Sequence, residues 1–193
     1  MVTTNKNIDI AAVRILLGEV HDPEVPVLSI LDLGIVRDIR IAPSGEAWTV
    51  PHVTSAADQS APREASGPAQ LEIVITPTYS GCPAMDTIRK EIVTTLDQHG
   101  YGHVKVTTVL SPAWTTEWMS QEGKDKLKAY GIAPPNPLQQ VCQIRPFHRD
   151  EAVQCPHCGS YHTSLISEFG STACKALYKC DECKEPFDYF KCH

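Results

Sequence analysis

The apolar positions of the chain change period several times, and each change marks an element. Residues 8–20 place Ile8, Ala11, Ala12, Ile15 and Leu16 at helical spacing, which predicts a first helix with that face turned inward. The segment HDPEVP (21–26) should stop it, because two prolines withhold amide donors and push the residues before them out of helical geometry. GIVRDIRI (34–41) sets Ile35, Ile39 and Ile41 against Val36, Asp38 and Arg40, the alternation of a strand. The next stretch, APSGEAWTVPHVTSAADQSAPREASGPA, has no period and is rich in Ala, Ser and Pro, so 43–69 reads as a flexible insertion in a loop. Leu71, Ile73 and Ile75 form a second strand face. Met85, Ile88, Ile92 and Leu96 then step by three, four and four, a stripe that predicts a helix over 83–98 packed on a sheet. Gly100 and Gly102 end it, HVKVTTVL (103–110) reads as a third strand, and a further helix covers about 120–129 before Gly131 and three prolines. The order α-β-β-α-β describes a small α+β domain over 1–130. A proline-containing linker follows at 131–150, and 151–193 forms a separate module.

Bulk composition narrows the function. A net charge of −6 argues against a general nucleic-acid binder, and no apolar run reaches the length of a membrane span. The N-terminus lacks the basic flank and long apolar core of a signal peptide, so the expected compartment is the cytoplasm. Eight cysteines in that setting point to metal or thiol chemistry rather than disulfides, because the cytosol keeps thiols reduced.

The last module carries the plainest chemistry. CPHC (155–158) and CDEC (180–183) are two C-x2-C pairs separated by 21 residues. Each turn can aim two sulfurs at one ion, and two turns complete the four tetrahedral corners that structural Zn²⁺ prefers. Alternation in YHTSLISEF and FDYF supplies strands between them, and so small a module needs a metal staple to fold. Zinc held by Cys155, Cys158, Cys180 and Cys183 is the expectation. Two other readings stay open: Cys174 in place of one ligand, or an iron–sulfur cluster on the same four thiolates. Six acidic and four basic residues in 151–193 favour protein contact over phosphate. Cys174, Cys192 and His193 are left over, either as packing and a frayed tail or as extra thiols near a metal site.

One cysteine stands apart. In PTYSGCPAM (77–85), Cys82 lies between Gly81 and Pro83, where the second strand hands over to the long helix. Pro83 suits the first position of a helix, so Cys82 should sit at or next to the cap, where helix dipole and free amides would lower its pKa. The alternative is a buried cysteine used as a small apolar filler. Thr76, Thr78, Tyr79 and Ser80 bring hydroxyls to the same strand end, and Asp22 and Glu24 bring acids if the first helix ends beside it. A thiol enzyme would also want a histidine partner; His21, His52, His99 and His103 exist, none in a telling context.

HDPEVPVLSILDLGIV followed by ITPTYSGCPAM resembles the small iron–sulfur assembly family that includes SufT and the domain of cytosolic iron–sulfur assembly component two. The tail CPHCGS…SEFGSTACKALYKCDECKEPFDYFKCH resembles that of the PaaD family, associated with the multicomponent phenylacetyl-CoA monooxygenase (1,2-epoxidase) of phenylacetate breakdown. The insertion at 43–69 departs from the compact loop of that family. The resemblance implies that Cys82 is the family's reactive cysteine and Asp22 and Glu24 its acidic loop; Thr76 and Thr78 join this candidate site through their place at the strand end. It implies a non-catalytic accessory factor that carries a transient iron–sulfur cluster or iron alongside structural Zn²⁺. Its clients would be the iron–sulfur reductase subunit or the di-iron oxygenase subunits; the alternative is a structural subunit of the oxygenase. No G-x-G-x-x-G and no Glu-x-x-His pair of the di-iron kind is present. A cluster needs about four protein ligands. One Cys82 per chain therefore implies a homodimer or a client that completes the shell.

Overall fold

A computed structural model describes residues 8–41, 71–135 and 153–191 of the chain. The expected insertion at 43–69, most of the expected linker, and Cys142, Cys192, His193 and His52 lie outside the described residues.

The first helix, α1 (Ile10–Leu17), is capped by the Asp9 carboxylate, which accepts from the Ala11 amide at 2.9 Å. It buries Val13 and Leu17, continued by Val20, and leaves Ile15 71% exposed. The expected inward face of Ile8, Ala11, Ala12, Ile15 and Leu16 is therefore corrected. Apolar residues line nearly the whole helix, and the larger stripe one position along won the core.

Strand β1 (Val36–Ile41) pairs antiparallel with β2 (Leu71–Ile75), which pairs parallel with β3 (Val104–Thr108), in the order β1-β2-β3. A register shift between Val36 and Asp38 interrupts the alternation read for β1: Ile35 and Ile39 are buried, while Ile41 is exposed. The central strand β2 is buried at every residue, including Glu72, which accepts from the Thr107 hydroxyl between Arg40 and Lys105. Helix α2 (Ala84–Gln98) buries the predicted stripe of Met85, Ile88, Ile92 and Leu96.

After β3 the chain passes Trp114 and a 3-10 turn (Thr116–Trp118) into α3 (Gln121–Ala129), capped by Ser120. It then enters β4 (Ile132–Ala133), inside the segment read as linker. β4 joins the C-terminal sheet of β5 (Thr163–Ser167), β6 (Lys175–Cys180) and β7 (Pro186–Phe190), in the order β4-β7-β6-β5. Two further contacts bind this sheet to the first module. Phe190 meets the Trp114 ring edge-on at 6.2 Å, and Cys174 and Phe190 belong to the same apolar cluster as α1, α2 and β2. A separate small core of Val153, Ala176, Tyr178, Phe187 and Tyr189 lies nearer the C-x2-C turns.

The loop between α1 and β1 owes its shape to a carboxylate that no sequence motif singles out. Asp32 accepts from the Ser29 amide (3.0 Å) and hydroxyl (2.8 Å), the Ser120 hydroxyl (3.0 Å) and Lys126 Nζ (2.9 Å). Gly34 then turns with φ +67°, so close under Trp118 that an added Cβ would lie 2.0 Å from its carbonyl oxygen.

Candidate functional site

The two C-x2-C turns converge as expected. The Sγ atoms of Cys155, Cys158, Cys180 and Cys183 all lie within 4.8 Å of one another. The Cys155–Cys183 separation is 3.8 Å and the Cys158–Cys180 separation 3.5 Å. Tetrahedral zinc at about 2.3 Å from each sulfur asks for sulfurs about 3.8 Å apart. So tight a set accommodates one ion rather than a multi-iron core. Backbone amides already point at the sulfurs: Ser160 donates to Cys158, Glu182 and Cys183 to Cys180, and Glu185 to Cys183. The turns repeat each other, with Gly159 donating to the Cys155 carbonyl and Lys184 to that of Cys180, each in a left-handed conformation. These residues fit a structural zinc ion. Cys174 does not share the site, because it lies six residues along β6 from Cys180, about 20 Å at strand rise.

The second site gathers at the C-terminal end of β2. Asp22 organises the acidic loop: its Oδ1 accepts from the amides of Glu24 (2.7 Å) and Val25 (3.0 Å), and its own amide donates to the Leu28 carbonyl (2.9 Å). That turn leaves the Glu24 side chain free to face the loop after β2. There Gly81 adopts φ +95° with open space around it, which presents Cys82 half-buried beside the first turn of α2. The Cys82 sulfur accepts from the Ala84 amide and the Tyr79 hydroxyl.

The structure brings Cys82, Asp22 and Glu24 together but reverses one expectation. Burial pushes the Cys82 thiol up, the amide of Ala84 pulls it down, and the carboxylates of Glu24 and Asp22 push it up again; the net direction is up. The cap alone would have activated the thiol, but burial and the two acids outweigh it. Burial also raises Asp22 and Glu24, the latter further through Asp22, and it pushes Tyr79 up to about 12. The groups that act most on Cys82 include no histidine.

Thr76 follows β2 fully buried, its hydroxyl without a hydrogen-bond partner, and Thr78 is half-buried; neither bonds to Cys82. Sequence reasoning misses one participant. Cys174, just before β6, is 5% exposed and directs its S–H at Glu24 Oε2, 3.8 Å away. No local motif marks it, since its partner lies 150 residues earlier.

Comparison with known proteins accords with this geometry. Residues 140–191 match the family model described as the PaaD zinc beta ribbon domain. A curated Escherichia coli (strain K12) protein, named as a subunit of a "Putative 1,2-phenylacetyl-CoA epoxidase", is 45% identical over 177 residues, covering 92% of this chain and 89% of its own. A solved DUF59 domain of unknown function from Bacillus anthracis is 23% identical with a TM-score of 0.45, covering 61% of this chain and 89% of that one, a likeness too distant to argue from. With a zinc-ribbon match over the C-terminal module and a relative aligned along nearly the whole chain, the protein belongs to the PaaD family of 1,2-phenylacetyl-CoA epoxidase subunits.

Proposed function

We propose that the protein is an assembly or delivery factor for the metallocofactors of a phenylacetyl-CoA monooxygenase system, and not itself the catalyst. The observation that carries this reading is the company Cys82 keeps: among the described residues, the groups that act most on it are two carboxylates and a phenol, and none is a histidine that would make it a nucleophile. Such a set suits a passing cation better than acyl or hydride chemistry. Iron or an iron–sulfur cluster is the cargo, held by Cys82 with Asp22 and Glu24 beside it and Thr76 and Thr78 lining the strand end. Cys155, Cys158, Cys180 and Cys183 hold structural Zn²⁺, and the ribbon over 151–193 docks the client, an iron–sulfur reductase subunit or a di-iron oxygenase subunit. The α+β module over 1–130 carries the cargo site. The client or a second copy of the chain supplies the remaining ligands, in the reducing cytoplasm that keeps these thiols free.

The test is client iron. In cells producing the oxygenase system, Cys82→Ser in this chain is expected to leave client proteins abundant but poor in iron, with activity restored by reconstituting them in vitro. The chain itself should not copurify with active oxygenase in fixed ratio. The name of the Escherichia coli relative favours a second reading, a structural component of the oxygenase with an inert Cys82. Fixed stoichiometry together with full client iron in Cys82→Ser would establish that reading and remove the first.

A further inference from the structure

Cys174 is a second thiol at the Cys82 site, and it arrives from the other module. It is held there by main chain: the Lys191 amide donates to its carbonyl at 2.9 Å, closing the open end of the β6–β7 hairpin. Thr172 Oγ1 lies 3.1 Å from its sulfur and Glu24 Oε2 3.8 Å on another side. The same two carboxylates, Asp22 and Glu24, act on both Cys82 and Cys174, and Tyr79 feels both sulfurs. Two thiols and two carboxylates are thus within electrostatic reach of one another, with Cys174 and Glu24 in contact and Lys175 the basic group acting on Asp22, Glu24 and Cys174. Lys175 is itself engaged by Asp188 at 3.5 Å. Cys174 packs at the edge of the apolar cluster, yet its S–H is aimed at a carboxylate, which an apolar filler does not need. The Thr76 hydroxyl, 1% exposed and without a partner, ends the strand that leads into the same loop.

We propose that Cys174 is the second thiolate ligand of the Cys82 site, so that the α+β module and the zinc ribbon hold a thiophilic iron cargo jointly, with Glu24 between the two sulfurs. The inference rests on the cargo-binding reading of Cys82 given above. Among the described residues only the ribbon cysteines form a closed set within 4.8 Å, so the Cys82 set is open until a cation draws it together. Cargo enters past Gly81, where Cys82 is reachable, and settles against the inner sulfur. Binding forms two iron–sulfur bonds and releases the two thiol protons to solvent; no electrons move. Two thiolates and a carboxylate from one chain leave a partner about one of about four ligands to supply, where Cys82 alone would leave about three.

The test uses the full zinc-loaded chain and ferrous iron under anaerobic conditions, reading iron and zinc per chain and thiolate-to-iron charge-transfer absorption. Wild type is expected to bind one iron. Cys82→Ser and Cys174→Ser should each weaken binding at least tenfold and Glu24→Gln severalfold, with zinc content unchanged. If Cys174→Ser and Cys174→Ala bind iron like wild type while Cys82→Ser does not, the Cys174 inference falls and the cargo reading stands. If wild type takes up no iron, both fall. Because a substitution at a buried thiol can disturb folding, X-ray absorption on wild-type protein gives an independent answer. Two protein sulfurs at one iron per chain are expected. One sulfur, or two sulfurs at one iron per two chains, overturns the inference.

Discussion

Asp32→Ala tests whether the loop that presents the acidic turn is held by one buried carboxylate. Asp32 is 6% exposed and accepts four hydrogen bonds, two from Ser29 and one each from Ser120 and Lys126. These losses are unequal. The Ser29 amide is left buried without an acceptor, at about 1–3 kcal/mol. The Ser29 and Ser120 hydroxyls can rotate to other partners, and together add about 1 kcal/mol. Lys126 is 38% exposed and keeps Glu122 at 2.9 Å, so its pairing with Asp32 contributes about 0–1 kcal/mol. The sum is about 2–5 kcal/mol, which lowers the urea midpoint by about 1–2.5 M at a slope near 2 kcal/mol per molar. Lys126→Met should cost no more than about 1 kcal/mol. Acid supplies a second reading. Burial raises the Asp32 carboxyl, but Lys126, Ser29 and Ser120 outweigh it and hold the group below its ordinary value. Its stabilisation is therefore present above the unfolded value, about 4, and disappears as pH falls through the lowered folded value. The gap between wild type and Asp32→Asn should narrow correspondingly in acid. An unchanged midpoint in Asp32→Ala, or a penalty in Lys126→Met as large as that of Asp32→Ala, would refute the assignment of the buried Ser29 amide as the dominant loss.

Three other outcomes are open to measurement. Gly34→Ala places a Cβ 2.0 Å from the Trp118 carbonyl at φ +67°, so it should cost more than about 3 kcal/mol and show as a large fall in thermal midpoint; a shift of about a degree would show that the turn relaxes freely. Zinc chelation or Cys155→Ser should unfold β5 to β7 and lower the melting temperature in step with zinc content; a fully folded metal-free protein would remove the structural role of the ion. In iron-free protein, alkylation of Cys82 should be slower at neutral pH than for a free cysteine, with its pH midpoint raised, and Glu24→Gln should speed it. Faster alkylation than free cysteine would restore the cap as the dominant influence.

Local chemistry is legible in the sequence and distant chemistry is not. The stripe of α2 and the paired C-x2-C turns can be read directly because each is fixed within one turn of chain or one helix face. The face of α1 is misread because Ile, Ala, Val and Leu nearly encircle it, and periodicity cannot choose between two apolar stripes. The pKa of Cys82 is misjudged for a related reason: the helix end is local, while Asp22 and Glu24 arrive from about sixty residues away in sequence. Asp32 and Lys126 stand 94 residues apart, and neither belongs to a motif. β4 is two residues long, below the length at which alternation carries information, yet it pairs with β7 to tie the start of the expected linker into the ribbon sheet.

Strand β6 has the paired cysteines at one end and Cys174 at the other. Five paired residues of the β6–β7 hairpin, 175–179, thus act as a spacer between Cys180 of the ribbon set and Cys174 in one polypeptide. Under the proposed cargo reading, a chain that keeps one ion and hands on another faces a hazard of exchange, since thiolates accept zinc and iron alike. Separation along a stiff ladder lowers that hazard without calling on chemical selectivity. Sulfurs at the far end cannot reach the resident ion to displace it ligand by ligand, and the four sulfurs that hold it offer a passing ion no free corner.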